Sequence, residues 1–403
     1  MCYDRRMHKA EPTSLTVKVL LTALVAFGPI STDLYLASLP DMARAFHTDV
    51  ATTQLTLSAF LVGFAIAMPV YGPLSDRFGR RPVIVAGTVI YLAGTLVCIL
   101  APTIEALVAG RFLQALGACC GPVVGRAVVR DVFPREEAAR VLSYMASAMA
   151  LAPFAAPVLG GWLHSLFGWR SNFAALGVFG LLLAAGVWRL LAETNRHKDP
   201  DALSPAAMLL NYASLVRDRA VLGYGLTVAC AFGGMFTFIS GSSFVLIDVL
   251  GLAPAHFGLG FAVVIAGYIA GAFLAGRLTA RVGLDRMIAL GTWGCAASGV
   301  TMAALSWAGV QTFASVLAPM SLYFLSSGLA LPNATAGALG PHPRMAGAAS
   351  ALVGFLQMVG GASAGFLTAA FYDGSAGSMA TITGVLGVAA LLVFRGTVGR
   401  RAA

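Results

Sequence analysis

Two ionisable side chains lie inside long apolar runs of the sequence. Asp33 is about five residues from the end of the run 15–38, and Arg111 is about eight residues into the run 104–127. An ionised group in hydrocarbon is costly unless it faces a cavity or a group of opposite charge. We therefore predict that Asp33 and Arg111 approach each other from the same membrane side. Two interpretations stay open: a static ion pair that joins two helices, and a carboxyl group that binds and releases a proton under the control of a neighbouring arginine.

A denser group of charges occupies residues 72–83, GPLSDRFGRRPV, between the apolar runs 52–74 and 82–100. One carboxylate and three arginines this close together cannot enter hydrocarbon, so we predict a tight loop at a membrane face. A weaker copy, GRLTARVGLDR at 276–286, follows at an offset of about half the 403-residue chain. A basic loop between helices can look like this by chance, but the half-length offset favours two related halves.

The composition sets the class of protein that must position these residues. Hydrophobic residues make up 58% of the chain and charged residues 11%, whereas a soluble domain carries roughly 25% charged residues. A helix needs about 20 apolar residues to cross a bilayer. Twelve runs of that kind are present: 15–38, 52–74, 82–100, 104–127, 138–161, 170–191, 219–242, 256–279, 286–308, 312–338, 345–371 and 377–396.

The predicted fold is therefore an all-α polytopic membrane protein with twelve transmembrane helices in two pseudo-symmetric halves of six. The domains that we predict are a cytoplasmic tail 1–14, a bundle 15–191, a cytoplasmic linker 192–218, a second bundle 219–396 and a cytoplasmic tail 397–403. Of the 26 lysines and arginines, 22 fall in alternate, inner segments, which predicts that both termini are cytoplasmic. Arg126, near the inner end of its run, is predicted to reach the interface and to be structural.

The fifth run, 138–161, contains a cluster of helix-bending and small residues. Pro153 and Pro157 predict a bend, and Gly160 and Gly161 allow a close approach of another helix. A substrate cavity is expected between the halves near the midplane. Polar, aromatic and methionine side chains in the cavity-forming runs are the candidates to line it: Tyr35, Gln54, Gln114, Tyr144, Met149, Phe236 and Gln357.

Several segments together resemble one family of transporters. They are GPLSDRFGRRPV at 72–83, TDLYLASLP at 32–40, RFLQALG at 111–117, SGSSFVLID at 240–248, PNAT at 332–335 and GAASALVGFLQ at 347–357. The first resembles the inner-loop motif of the major facilitator superfamily, and the ensemble resembles its bicyclomycin-resistance (Bcr/CflA) branch of drug/proton antiporters. The resemblance covers all twelve predicted spans.

The resemblance implies roles for individual positions. Asp33 and Arg111 match residues that take part in proton transfer, and Ala156 stands before Pro157 where the family prefers glycine. That departure weakens the inference of antiport direction and leaves the fold untouched. The loop residues match a charged switch that holds the halves together in one state: Gly72, Asp76, Arg77, Gly79 and Arg80.

The leading interpretation is a proton-coupled antiporter that exports small, largely apolar drugs or toxic compounds across a bacterial inner membrane. The alternative is a proton-coupled metabolite transporter of the same fold, working as importer or exporter. The sequence has no GxxxxGK[ST] motif, so direct use of ATP is not expected. Because the basic residues follow the membrane topology, nucleic acid is not an expected partner. No cofactor, metal site or enzyme activity is predicted, and we expect a monomer.

Overall fold

The computed structural model describes residues 13–195, 198–200, 202–342 and 345–398. Most of the two predicted tails lies outside these residues. Helices and turns make up the described part of the chain, which holds no β-strand. Twelve helical segments in it are long and apolar enough to cross a membrane, which confirms the predicted fold class.

The described residues form fifteen α-helices, and fourteen of them build these twelve segments. They are α1 Leu15–Asp33, α2 Leu39–Ala45, α3 Val50–Phe78, α4 Arg80–Leu100, α5 Ile104–Ala118, α6 Cys120–Val132, α7 Arg135–Phe167, α8 Arg170–Leu190, α9 Pro205–Arg217, α10 Arg219–Ser243, α11 Pro254–Val282, α12 Leu284–Trp307, α13 Phe313–Leu339, α14 Ala346–Ala370 and α15 Gly377–Thr397. Helix α9 is not a span and lies in the predicted linker.

The first span is longer than predicted and is broken. Helix α1 ends at Asp33, a short 3-10 turn covers Leu36–Ser38, and α2 continues to Ala45. The apolar run 15–38 ends before the helical segment does, because polar residues occur in the last helical turns. Asp33 is consequently twelve residues from the end of its span rather than five, and it lies at an interruption of the helix.

Two other spans also depart from a single regular helix. The fourth span extends past the predicted residue 127, because α6 follows α5 after Cys119 and ends only at Val132. The seventh span ends in a π-helical turn, Phe244–Val249. Both extensions carry charged residues, Asp131 and Asp248 respectively. A hydropathy pattern stops at such residues, whereas helical hydrogen bonding continues through them.

The two copies of the charged loop have the same backbone conformation. Gly79 separates α3 from α4 with φ 105°, and Gly283 separates α11 from α12 with φ 94°. A positive φ is costly for any residue with a Cβ atom, so both turns need glycine. The half-length repeat in the sequence therefore corresponds to a structural repeat in the two halves.

The two halves are in close contact near one end of the molecule. We call the face that holds Gly79 and Gly283 the terminal face, and the other the opposite face. Near the opposite face, the backbone of Val158 in α7 lies against Gly258 in α11, so that a Cβ atom added at Gly258 would be 2.4 Å from Val158 Cα. There too, Arg44 Nη1 lies 3.2 Å from Asp248 Oδ1 in the other half.

Candidate functional site

A cavity of about 440 Å³ lies between the halves and is lined by residues of both. Most of its lining is apolar, with phenylalanine and methionine side chains from α3, α7, α10 and α14. Among the described residues, those with a charge that line it are Asp33 and Arg126. Three predicted cavity residues line it: Met149, Phe236 and Gln357.

The other four predicted cavity residues lie elsewhere. Tyr35, Gln54 and Gln114 are buried in the packed first half, with at most 1% of each exposed. Gln54 has no hydrogen-bond partner for either side-chain amide atom among the described residues. Tyr144 is 56% exposed on the outer surface of α7. Burial and helix face, which the residue types alone do not reveal, separate these four from the cavity.

Asp33 is positioned by the interruption of the first span. It is the last residue of α1, lines the cavity and is only 4% exposed. Within the described chain its carboxyl group forms neither an ion pair nor a hydrogen bond. A carboxylate left in this state inside an apolar cavity is costly. The site therefore favours either a proton or a ligand group that donates a hydrogen bond.

Arg111 does not contact Asp33 in this structure, so the ion pair predicted from the sequence is not formed in this state. The guanidinium is fully buried, 4.5 Å from the centre of the Tyr35 ring and 4.3 Å from that of Phe60. Phe60 itself lines the cavity, so its ring separates Arg111 from that space. Arg111 Nη1 donates to Gln114 Oε1, while Nε and Nη2 have no partner among the described residues.

The fifth span packs directly on the interruption after Asp33. Helix α7 runs unbroken from Arg135 to Phe167 and includes both prolines, of which Pro153 lines the cavity. A Cβ atom at Gly160 would lie 1.6 Å from Leu34 O, and one at Gly161 would lie 2.7 Å from Pro254 O in the other half. The two glycines thus let α7 contact the first span and the second half together.

The charged loop at the terminal face forms a network within the first half. Arg80 Nη1 donates to Asp76 Oδ1 at 2.5 Å, and Arg80 Nε donates to Asp131 Oδ2 at 2.9 Å. Glu193, at the start of the predicted linker, accepts from the backbone N–H groups of Arg80 and Arg81. Arg81 Nη2 also donates to Trp188 O in α8. In this state, these contacts join the loop to α6, to α8 and to the linker.

The remaining loop residues have different surroundings. Arg77 lies 5.4 Å from the ring centre of its neighbour Phe78. Gly72 has open space where a Cβ atom would be. A second cavity of about 600 Å³ adjoins the loop and is lined by Gly72, Asp76 and Arg80 from the first half and by Gly347 and Ala348 from the second.

Comparison with known proteins decides the family. The family model described as "Major Facilitator Superfamily" matches residues 20–365. The chain belongs to this superfamily. Its twelve spans, its repeated loop and its cavity between halves are then the common architecture of a transporter rather than of an enzyme.

Relatives support the predicted branch. "Multidrug resistance protein D" of Escherichia coli (strain K12) is 30% identical over 376 residues, which cover 93% of this chain and 94% of that protein. "Bicyclomycin resistance protein homolog" of Haemophilus influenzae is 28% identical over 383 residues, covering 93% and 94%. These matches confirm the resemblance to the bicyclomycin-resistance branch.

A solved structure supports the fold. The xylose transporter XylE from E. coli, in a partially occluded inward open conformation, superposes with a TM-score of 0.74 at 16% sequence identity. The match covers 94% of this chain and 97% of that one. At this identity the likeness concerns the fold alone.

Two features of this superfamily member were not predicted from the sequence. Arg126, predicted to be structural, lines both cavities. At the opposite face, Asp41 accepts hydrogen bonds from Arg44 and lies 2.8 Å from His164 Nε2, while Arg44 also reaches Asp248. No spacing rule could pair residues from distant helices, because only the packing of the two halves brings them together.

Proposed function

We propose that this protein exports small, largely apolar compounds across a bacterial inner membrane in exchange for protons. The observation that carries the proposal is the mainly apolar cavity between the halves with Asp33 on its wall, free of any ion pair within the described chain. Relatives named for multidrug and bicyclomycin resistance support the compound class. The concentration of lysine and arginine in alternate segments supports cytoplasmic termini.

In this proposal, Asp33 couples the movement of protons to that of the compound, because both compete for its carboxyl group. An ionised carboxylate in a closed, empty apolar cavity is costly, so the halves close over the cavity only when the charge is compensated. A proton compensates it by neutralising the group, and a compound does so by donating a hydrogen bond or presenting a positive charge. Because both use the same carboxyl oxygens, one leaves when the other arrives. That is the requirement for antiport.

The surroundings of Asp33 transmit its state to the halves. Arg111 lies against the rings of Tyr35, which is in the interruption after Asp33, and of Phe60 in α3. Gly160 of α7 packs on Leu34, the residue next to Asp33. Helix α7 also carries the close contacts with the second half. A rearrangement of the first span at Asp33 can therefore change the contact that closes the opposite face, and this movement is the proposed switch.

The test uses purified protein in liposomes that contain a pH-sensitive dye, with chloramphenicol as a neutral probe and ethidium as a cationic one. Addition of either compound to the wild type should drive proton release. Asp33→Asn should insert into the liposome membrane and fold normally. It should not release protons when a compound is added, because the amide cannot exchange a proton. Asp373→Asn, in an exposed loop, is the matched control and should behave as the wild type. Normal proton release by folded Asp33→Asn would refute the role of Asp33.

The same assay separates the proposed exporter from a metabolite transporter. A carrier for a narrow polar substrate needs several buried polar groups in its binding site, whereas the cavity lining here is mainly apolar. We expect proton release with the aromatic probes and none with sugars or amino acids. Proton movement only with sugars or amino acids would instead establish the alternative. In either case, the compound is moved without chemical conversion.

A further inference from the structure

Arg126 occupies the junction of the two cavities without a counter-charge. Together with Met68 and Ser350, it lines both the central cavity and the second cavity at the terminal face. Its Nε donates to Pro122 O at 2.6 Å, one turn earlier in α6, which fixes the guanidinium against the helix. Across the described residues, no carboxylate lies within ion-pairing distance of it.

This placement is unusual for a half-buried arginine. Arg80, the neighbouring arginine of the loop, is compensated by Asp76 and Asp131, whereas Arg126 has no ion-pair partner among the described residues and lines the mainly apolar central cavity. A guanidinium has five N–H donors in a planar fork, and among the described residues only the donor on Nε of Arg126 has an acceptor. The four donors on Nη1 and Nη2 suit the two oxygens of a carboxylate, which the fork binds in a bidentate manner.

We propose that Arg126 binds the carboxylate group of aromatic acids in the central cavity, which makes such acids a substrate class of this transporter. The phenylalanine and methionine side chains of the cavity wall, among them Phe236 and Met149, would hold the apolar body of the compound. This inference rests on the proposed function, because it names a substrate class for the same cavity. An anion cannot compensate the charge of Asp33, so such an acid binds while Asp33 carries its proton. It assigns to Arg126 a task that the predicted structural role does not include.

The experiment compares two probes that share one aromatic body and differ in a single group. Naproxen is an aromatic carboxylate at neutral pH, and its primary amide has the same body without the charge. Equilibrium dialysis against the full chain in nanodiscs of phosphatidylcholine measures both dissociation constants, and the absence of anionic lipid removes a competing headgroup. The variants are Arg126→Gln, which removes the charge, and Arg126→Lys, which keeps the charge but not the fork. Arg130→Gln, one turn further along α6, is the control for general positive charge.

We expect the wild type to bind naproxen more tightly than the amide. Arg126→Gln should weaken naproxen binding by about tenfold or more and amide binding by less than about twofold. Arg126→Lys should lie between the wild type and Arg126→Gln, and Arg130→Gln should match the wild type. Equal losses for both probes in Arg126→Gln, or no loss, would overturn the proposal. So would a wild type without preference for the acid, a comparison that needs no variant to fold.

These outcomes are distinct from those of the proton-exchange assay. A wild type that releases protons on addition of chloramphenicol but does not prefer naproxen would overturn this inference alone. A wild type that prefers naproxen through Arg126 but exchanges no protons with any probe would overturn the proposed antiport and leave the anion site standing.

Discussion

Gly258→Ala should shift this transporter away from the conformation in which the opposite face is closed. The added Cβ atom would lie 2.4 Å from Val158 Cα and 2.5 Å from Val158 N, both of which are backbone atoms of the other half. Ordinary van der Waals contact begins near 3.4 Å, so α7 and α11 must separate by about 1 Å. Neither neighbour is the end of a flexible side chain that could move aside.

The size of the shift follows from the cost of overpacking. Adding a methyl group to a tightly packed contact costs about 1–3 kcal/mol, and about 1.4 kcal/mol corresponds to a tenfold change in an equilibrium constant. The closed-to-open ratio at the opposite face should therefore fall by roughly fivefold to 150-fold. The higher helix propensity of alanine, about 1 kcal/mol relative to glycine, stabilises both conformations equally and does not affect the ratio.

Spin labels on the two halves at the opposite face measure this ratio. Ala45 at the end of α2 and Gln311 before α13 are exposed and suit the labels. In Gly258→Ala the long-distance population between them should grow. Gly276→Ala is the matched control, since it lies in the same helix with no atom within 4 Å of its added Cβ. If both variants give the wild-type distance distribution, the contact between α7 and α11 does not close this face.

Two further predictions concern single side chains. Arg111→Lys keeps the charge but loses the planar group that lies on Tyr35 and Phe60 and the hydrogen bond to Gln114, so thermal unfolding in detergent should report a loss of about 2 kcal/mol or more. Arg170 is exposed, and its guanidinium lies 4.1 Å from the ring centre of the buried Trp169. Arg170→Lys should therefore lose at most about 1 kcal/mol. Equal losses in the two variants would contradict the importance of the buried stack. A hydrogen bond from His342, 2.7 Å away, lowers the pKa of Asp218 below its ordinary value of 3.8, so this interaction should stabilise the fold fully above pH 3.8 and be lost as the pH falls through the lowered pKa. Asp218→Asn keeps the cap on Ala220 N but cannot titrate. Above pH 3.8 its unfolding temperature should therefore lie below that of the wild type, and at lower pH the two unfolding temperatures should converge. A difference that stays constant with pH would show that the charge of Asp218 does not contribute.

The prediction of an ion pair between Asp33 and Arg111 was correct about the burial of both residues but not about their contact in this state. Equal depth in two apolar runs correctly marked both residues as unusual, and both are almost completely buried. Their separation depends on Tyr35 and Phe60, whose rings contact the guanidinium instead. A stacking partner leaves no periodic trace in a sequence, because any aromatic residue in an apolar run looks like ordinary packing.

The position of Arg126 was also not predictable from the sequence. Its place six residues before the end of the fourth span suggested a side chain that reaches the interface. The structure instead turns it toward the junction of two cavities. The only signal in the sequence was that no acidic residue stands on its own turn of the helix. The choice between interface and cavity depends on which face of α6 meets the second half.

By itself, the sequence determined the twelve spans, the loops between them and the two related halves. These features follow from local properties: runs of apolar residues, the exclusion of clustered charge from hydrocarbon, and glycines that recur at equivalent turns, Gly79 and Gly283. Only the tertiary structure decided the interruption of the first span at Asp33, the surroundings of Arg111 and the ion pair between Arg44 and Asp248. Those features arise from contacts between residues far apart in the chain. Such contacts depend on how whole helices pack, and hydropathy and residue spacing carry no information about that packing.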